Sequence, residues 1–290
     1  MTRPVKFVAG FVVLAAILVF AATFLALHRP IPPPPPLPNP NAYDMLVAAG
    51  KSLPVEIEDV SKKSLEELSA ANSKNQETLA SARKALEAES RVPLVYSLTN
   101  LGQQPVALRH LGLAFSALGK QAELEQHSGQ AAQIYFDIIR LGHATGQGGV
   151  ILDSMIGVAI ERMGLAGLER LSPSLDAKQC RELAAALESS EQRRESTEIL
   201  LLNERAWARR TYGFKGQIVR LVTYKQLKQT EQTWVAKLKA HEVRTQRLII
   251  QLASRAYELE KGEPPKNTKA LVPDYLKAVP GEPLAGPKAN

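Results

Sequence analysis

An uncharged apolar run followed at once by a proline tract constrains this chain more than any other feature. The run spans Phe7 to Leu27, and Arg3 and Lys6 precede it. As a helix it would reach roughly 31 Å, about the thickness of the hydrocarbon core of a bilayer. A cleaved signal peptide is the alternative, but its apolar core is shorter, roughly 7 to 15 residues, and ends at a small-residue cleavage site. We therefore predict an uncleaved transmembrane helix over residues 7–27.

The distribution of basic residues predicts the orientation of that helix. Arg3, Lys6 and the amino terminus lie before it, and Arg29 follows it. This excess of positive charge favours the amino terminus on the cytoplasmic side. We expect residues 1–6 in the cytoplasm, the anchor in the inner (cytoplasmic) membrane of a bacterium, and the body in the periplasm or exterior.

The proline tract predicts a stalk over residues 28–40. Eight of the eleven residues from Pro30 to Pro40 are proline. Such a tract extends as polyproline II, at about 3.1 Å per residue, and would reach roughly 34 Å if fully extended. A ligand for a proline-recognising domain is the alternative. A spacer explains better why the tract directly follows an anchor.

Residues 41–262 show a helical apolar pattern and no strict two-residue alternation, which predicts an all-α body. One domain is favoured, and the alternative is two small domains with a boundary near Arg91–Gln104. Asn41 is the expected cap of a short first helix, and Ser64 opens a second helix that runs to about Glu89. The glycine-rich stretch Gly142–Gly149 is predicted to be a turn. The remaining helices are expected at about Val106–Glu125, Gly129–Leu141, Val150–Leu171, Asp176–Ser190, Glu191–Gln229 and Glu231–Glu260.

One pair of predicted helices has the spacing of a tetratricopeptide hairpin. Gly119 and Ala131 would let two antiparallel helices approach closely, with Tyr135 filling the gap between them. Because a solenoid needs about three such repeats, an ordinary helical hairpin is the simpler interpretation.

Positive charge concentrates near the carboxyl-terminal end of the body. The chain has a formal net charge of +7, and residues 205–255 contain twelve Lys and Arg residues but two acidic ones. This stretch predicts an interaction surface for an anionic lipid, an acidic envelope polymer or an acidic protein partner. A nucleic-acid partner would fit the positive charge but not the expected export of the domain. The alternative is a solvated face with the aromatic residues in the core. The candidate surface residues are Arg209, Arg210, Lys215, Arg220, Lys225, Lys228, Lys237, Lys239, Trp207 and Trp234.

The sequence contains no recognisable catalytic, cofactor or metal motif, so we predict a protein that is not an enzyme. The histidines form no H-E-x-x-H or H-x-x-x-H pair. His110, His127 and His143 lie in or beside one predicted hairpin and could meet in space, but their spacing supports no metal site. Cys180 lies in a helical pattern and is expected to be a core residue.

The carboxyl-terminal segment carries the most distinctive local pattern. It contains Gly262-Glu263-Pro264-Pro265, the stretch from Leu271 to Leu276, and Pro280-Gly281-Glu282-Pro283. We predict that the last long helix ends at Gly262, that Leu271, Tyr275 and Leu276 dock on the body, and that residues 263–290 form a strap.

These residues resemble a G-x-x-P, L-V-P-x-Y-L and P-x-[DE]-P motif of exported bacterial proteins. The motif is similar to one in pseudopilins of type II secretion and in signal-anchored helical envelope proteins without an assigned activity. The second group also resembles this chain in the Asn41-Ala42-Tyr43-Asp44 start and in the helix around Gln133–Asp137. This resemblance implies the anchor and the helical domain but no site residues. Unlike in pilin-like precursors, the fifth residue after Gly10 is Ala15, and Glu282 stands where the pseudopilin calcium loop has aspartate.

Three functional hypotheses follow. The first is a membrane-anchored, envelope-facing scaffold or adaptor with a protein partner. The second is an enzyme or binding module for an envelope polymer, which predicts a pocket with convergent histidine or carboxylate groups. The third is a pseudopilin-like secretion component, which requires cleavage after Gly10.

Overall fold

The computed structural model describes residues 17–18, 33–96 and 103–279, without the side chains of residues 103, 214–215, 217–222 and 224. Between residues 33 and 279, all regular secondary structure that is described is helical, which confirms the all-α prediction. Eight α-helices are joined by loops and three short 3₁₀ helices (Val60–Lys62, Ser172–Ser174 and Thr268–Leu271). The α-helices are α1 (Ala42–Lys51), α2 (Leu65–Ala85), α3 (Gln103–Leu124), α4 (Ser128–Gly146), α5 (Ile151–Leu171), α6 (Ala177–Gln192), α7 (Thr197–Val222) and α8 (Tyr224–Lys261).

Side-chain caps fix several helix ends where the sequence predicts them. The Asn41 side chain accepts a hydrogen bond from the Tyr43 amide at the start of α1. Ser64 and Glu67 form a complete capping box at the start of α2, at 2.9 and 3.2 Å. At the other end of the domain, Gly262 has a φ of 77° and terminates α8 in the left-handed conformation that glycine adopts at low cost.

The structure differs from the prediction around Gly142–Gly149. Helix α4 continues through Gly142 and ends at Gly146, so the predicted turn is wrong over its first half. Only Gly148, with a φ of 72°, needs the conformational freedom of glycine within this stretch. Gly142 and Gly146 serve helix packing, which overrides their low helix propensity.

The boundaries predicted for the last two helices are also wrong. The chain leaves the helical conformation at residues 193–196 and again at Thr223, rather than at Thr230. Helix α7 is further interrupted at Gly213, where φ is 56° and ψ is −150°. No proline or glycine marks the break at 193–196. The Ser196 hydroxyl accepts from the Ile199 amide at 3.4 Å and caps α7, and Arg194 turns towards the buried Glu161 carboxylate there.

The antiparallel pair α4–α5 lies at the centre of the domain and packs unusually closely. A Cβ on Gly142 would lie 2.6 Å from the carbonyl oxygen of Gly157, and a Cβ on Gly164 would lie 3.2 Å from the amide nitrogen of Ile139. A carbon atom cannot approach a backbone oxygen so closely, so only glycine permits this helix separation.

The predicted α3–α4 hairpin packing is confirmed. A Cβ on Gly119 would lie 2.9 Å from Cε1 of Tyr135, whose ring fills the space between the helices. The Tyr135 hydroxyl donates a hydrogen bond of 2.9 Å to Glu123. An ordinary helical hairpin accounts for these contacts.

The segment after α8 docks on the body as predicted. Leu271, Tyr275 and Leu276 are buried, and the Tyr275 ring lies 5.4 Å from that of Tyr257 on α8. The backbone amide of Lys277 donates to the Glu188 carboxylate on α6, at 3.2 Å. The rest of the predicted strap, from residue 280, lies outside the described residues.

The predicted transmembrane segment lies outside the described residues except for Ile17 and Leu18. Among the helices that the structure describes, none combines the length and the apolar character that a membrane crossing requires. Residues 33–38 of the predicted stalk are described and contain no helix or strand.

Replacing Gly142 with alanine tests the close approach of α4 and α5. We expect Gly142→Ala to lower the free energy of unfolding by about 1–3 kcal/mol, because the methyl group meets the backbone of α5. Gly129→Ala is the matched control in the same helix, where the added methyl group meets only the side chain of Gln179. The control should leave stability unchanged or raise it by up to about 1 kcal/mol. Urea denaturation measures both, and equal effects would contradict the packing described.

Candidate functional site

A buried cluster of charged and polar side chains lies where α4, α5, α6 and α8 meet. Glu161 on α5 and His241 on α8 are each 2 % exposed. His143 on α4, Glu191 near the end of α6 and Arg194 in the α6–α7 connection complete the cluster, hereafter the ionic cluster. Groups of this kind are rarely buried unless they are paired or functional.

Close helix packing creates the space that the Glu161 side chain occupies. Glu161 and Gly157 lie one turn apart on the face of α5 that contacts α4, and a Cβ on Gly142 would collide with the Glu161 side chain. The neighbours of Glu161 on this face are Val158 and Leu165, both buried. The carboxylate is therefore held away from bulk water and must find its partners inside the protein.

Glu161 is the hub of the cluster. Its Oε2 atom lies 2.6 Å from Nε2 of His241 and 2.5 Å from Nη2 of Arg194. The same Arg194 nitrogen lies 2.8 Å from Oε1 of Glu191 and 2.7 Å from Nε2 of His143. One arginine nitrogen thus contacts a buried carboxylate, a second carboxylate and an imidazole.

The electrostatics of the cluster favour ionised carboxylates. Burial alone would raise the pKa of Glu161, but the charges of His143 and Arg194 outweigh it and hold this pKa well below its usual value. The pKa of Glu191 is lowered in the same way, against the effect of burial, by its hydrogen bonds to His143 and Arg194. Burial opposes the charged form of Arg194, and the two carboxylates reverse this and raise its pKa.

His143 is the member of the cluster whose protonation competes with Arg194. Burial acts to lower the pKa of His143, but the Glu161 charge outweighs it and the pKa is raised. Arginine only donates hydrogen bonds, so the contact of 2.7 Å with Arg194 requires the neutral ring with a lone pair on Nε2, whereas it is the charged ring that lowers the pKa of Glu161. The other ring nitrogen, Nδ1, lies 3.2 Å from Oγ of Ser190 and in this tautomer donates to it. A proton on Nε2 and the guanidinium therefore compete for the same position.

A small cavity reaches the ionic cluster. Its volume is about 80 Å³, which suits a few water molecules or an ion but is well below the roughly 300 Å³ of typical ligand pockets. Residues of four helices and of the α6–α7 connection line it, among them His143, Ser154, Glu161, Arg194, Glu195, Leu238 and Glu242.

A larger groove lies between the end of the stalk, residues 91–96 and α7, hereafter the stalk groove. Its volume is about 970 Å³. Four arginines and one carboxylate, Glu195, accompany a mainly apolar lining. The apolar part includes Pro33, Pro34, Pro35, Leu37, Val92, Leu94, Ile199 and Leu202, and the arginines are Arg91, Arg205, Arg209 and Arg210.

The residues of the predicted basic and aromatic surface lie in different environments in the structure. Arg209 and Arg210 line the stalk groove, where Arg210 also lies over the ring of Tyr96 at 4.9 Å. The lysines on the first half of α8 are exposed, and Lys237 covers the half-buried ring of Trp234 at 4.5 Å. The exposed lysines are Lys225, Lys228, Lys237 and Lys239, whereas the side chains of Lys215 and Arg220 lie outside the described residues.

The prediction of Trp207 as an exposed contact residue is wrong. Its side chain is buried, and Nε1 donates a hydrogen bond of 2.9 Å to the backbone oxygen of Val95. The ring contacts Tyr212 edge-on, with centroids 5.9 Å apart. Trp207 therefore fixes α7 against residues 91–96, as the alternative with aromatic residues in the core predicts.

The three histidines considered together from the sequence form separate pairs. His110 contacts Glu56 at 3.0 Å, and His127 contacts Glu125 at 3.6 Å. His143 instead lies in the ionic cluster with His241, which was not one of these three histidines. Cys180 is buried as predicted, and burial raises the pKa of its thiol to about 11, which opposes a nucleophilic role.

A sequence signal for the ionic cluster does exist. Glu161 interrupts the small and apolar stripe of α5, and His241 falls on the stripe of α8 that continues through Leu248 and Leu252. A charged or titratable residue on such a stripe must be buried with a partner. Which residues pair cannot be read from the spacing, because the partners come from four separate segments.

Comparisons of the chain with protein-family models, with curated proteins and with solved structures found no match.

The Glu161→Gln substitution tests how strongly the ionic cluster contributes to stability. We expect the free energy of unfolding to fall by about 3 kcal/mol, because the buried cations lose their shared counter-charge. Glu169→Gln is the matched control, since Glu169 also joins α5 to α8 through Arg244, at 2.6 Å, but is 35 % exposed. The control should cost at most about 1 kcal/mol. If denaturant titrations give both variants the same free energy of unfolding, Glu161 has no special role in stability.

Proposed function

We propose that the protein is a single-pass membrane-anchored scaffold or adaptor whose helical domain faces the periplasm of a bacterium. The apolar run from Phe7 to Leu27 supports the anchor, and Arg3 and Lys6 support the orientation with the amino terminus inside. The resemblance to signal-anchored envelope proteins agrees with this assignment.

The attachment of the stalk supports a domain held close to the membrane. Asn41 donates from its side-chain amide to the backbone oxygen of Arg91, at 2.9 Å, and accepts from the Arg91 amide at the same distance. Pro33 already lines the stalk groove, and five residues separate it from Leu27. At about 3.1 Å per residue, an extended chain would cover roughly 19 Å from Leu27 to Pro33, less than the full tract would allow.

The stalk groove is the observation that carries the adaptor function. Ile199 is 47 % exposed and Leu202 is 59 % exposed on its wall. Large apolar side chains grouped in a groove mark interaction sites on soluble domains. The arginines around the groove outnumber its carboxylate, so charge complementarity favours an acidic segment with apolar side chains, supplied by a partner protein.

An envelope polymer fits the groove less well. Sugar rings stack on exposed aromatic faces, whereas Arg210 lies over the Tyr96 ring that lines the groove, at 4.9 Å. The ionic cluster supplies the convergent histidine and carboxylate groups that the enzyme hypothesis requires. Because its cavity of about 80 Å³ is too small for a sugar ring, a polymer-cleaving enzyme ranks below the adaptor as the second candidate function.

The pseudopilin hypothesis depends on processing of the amino terminus. It requires cleavage after Gly10, and Ala15 occupies the position where pilin-like precursors carry glutamate. A mature protein recovered from membranes with residues 1–10 still present would exclude it.

Site-specific photo-crosslinking in intact cells tests the adaptor function. A crosslinker at Leu202 of the full-length, tagged protein should capture a protein with an acidic, apolar segment, because Leu202 forms the wall of the groove. A crosslinker at Leu124, which is 43 % exposed but does not line the groove, is the control and should not capture it.

The Leu202→Glu substitution should reduce recovery of the same partner by about tenfold or more, since it places a charge against an apolar ligand surface. Leu124→Glu should leave recovery unchanged. Capture of phospholipid alone at position 202 would contradict the proposal in favour of a lipid-binding groove. Identical products at positions 202 and 124 would also contradict it.

A further inference from the structure

One nitrogen of Arg194 lies where three acceptor atoms of the ionic cluster converge. The three acceptors lie around Nη2 of Arg194 at 2.5, 2.7 and 2.8 Å. These acceptors are Oε2 of Glu161, Nε2 of His143 and Oε1 of Glu191. The two hydrogens of Nη2 and the contact between His241 and Glu161, at 2.6 Å, can satisfy them. A cation without directional bonds at the position of Nη2 would contact all three.

Two of the distances among these three atoms are those of metal ligands. Nε2 of His143 lies 3.5 Å from Oε2 of Glu161 and 3.3 Å from Oε1 of Glu191. Ligands bound tetrahedrally to zinc at 2.0–2.2 Å lie about 3.3–3.5 Å from one another. The ligand atoms of His143, Glu161 and Glu191 all lie within 4.8 Å of one another.

We propose that His143, Glu161 and Glu191 form a binding site for a divalent transition metal of the zinc class. Three protein ligands leave a fourth position for a water molecule. Imidazole and carboxylate are the ligands that such ions take when no thiolate is present. Two carboxylates then neutralise the two charges of the ion.

Hydrogen bonds between the ligand residues and their neighbours agree with this assignment. The hydrogen bond between Nδ1 of His143 and Ser190 leaves Nε2 as the coordinating atom, as second-shell partners of metal-binding histidines do. His241, whose side chain is 1 % exposed, holds the Glu161 carboxylate in place, since its Nε2 atom lies 2.6 Å from Oε2 of Glu161.

Arg194 is placed to exchange with the ion. It lies in the non-helical connection between α6 and α7, and its side chain is 27 % exposed, so it can turn towards solvent without disrupting a helix. The cavity of about 80 Å³ gives an ion access to the same atoms. Zinc and the guanidinium are therefore alternative occupants of one position, and removal of Arg194 should strengthen metal binding.

Zinc binding by the purified full-length protein in detergent tests the site. Competition with a chromophoric chelator measures affinity, and elemental analysis measures the amount bound. We expect one zinc ion per chain, at least tenfold weaker binding for Glu191→Gln and at least tenfold tighter binding for Arg194→Met. His127→Ala, which changes a histidine outside the cluster, should bind as the unaltered protein does.

Cobalt substitution gives an independent readout of geometry. Co²⁺ in the proposed site should show the intense visible absorption of tetrahedral coordination, and Glu191→Gln should lose it. Folding of Arg194→Met that depends on added zinc would also support the site. The proposal is overturned if the unaltered protein and Arg194→Met bind zinc no better than Glu191→Gln, or if Co²⁺ shows only the weak spectrum of the hydrated ion.

Discussion

The buried Glu161 carboxylate is the interaction on which the rest of the domain depends. It lies 2.6 Å from His241 on α8 and 2.5 Å from Arg194 in the α6–α7 connection, and it belongs to the central α4–α5 pair. The close approach at Gly142 and Gly157 encloses it, so glycine packing and charge pairing are parts of one arrangement. An isolated buried carboxylate would be prohibitively costly, and its partners therefore dictate where the surrounding segments lie.

The α6–α7 connection links the ionic cluster to the stalk groove. Arg194 turns inwards to the carboxylates, while its neighbour Glu195 lines both the small cavity and the groove. The Glu195 carboxylate accepts a hydrogen bond of 3.1 Å from the amide of Gly148, at the turn between α4 and α5. Helix α7 starts directly after this connection, and Trp207 seats it against residues 91–96. The position of the groove wall thus follows from the packing of the cluster.

Local chemistry made much of the fold predictable. The caps at Asn41 and Ser64, the stop at Gly262 and the docking of Tyr275 each depend on residues close in sequence. Errors arise where tertiary packing decides, because Gly142 and Gly146 look like turn residues but serve helix contact. The break at residues 193–196 does carry a local signal, since the Ser196 side chain caps α7. The site could be predicted only in part, because the burial of Glu161 can be read from its apolar stripe but its partners cannot. Trp207 was misassigned because composition does not reveal which face of α7 is covered.

The central claim is that a metal ion can displace Arg194 from the ionic cluster and bind its three acceptors. X-ray diffraction from crystals of the full-length protein grown with zinc, measured on both sides of the zinc absorption edge, tests it most directly. The account predicts one anomalous peak about 2 Å from Nε2 of His143 and from the carboxylates of Glu161 and Glu191, with Arg194 turned away. Arg194 in place among the three acceptors, with no anomalous peak at the cluster, would contradict it.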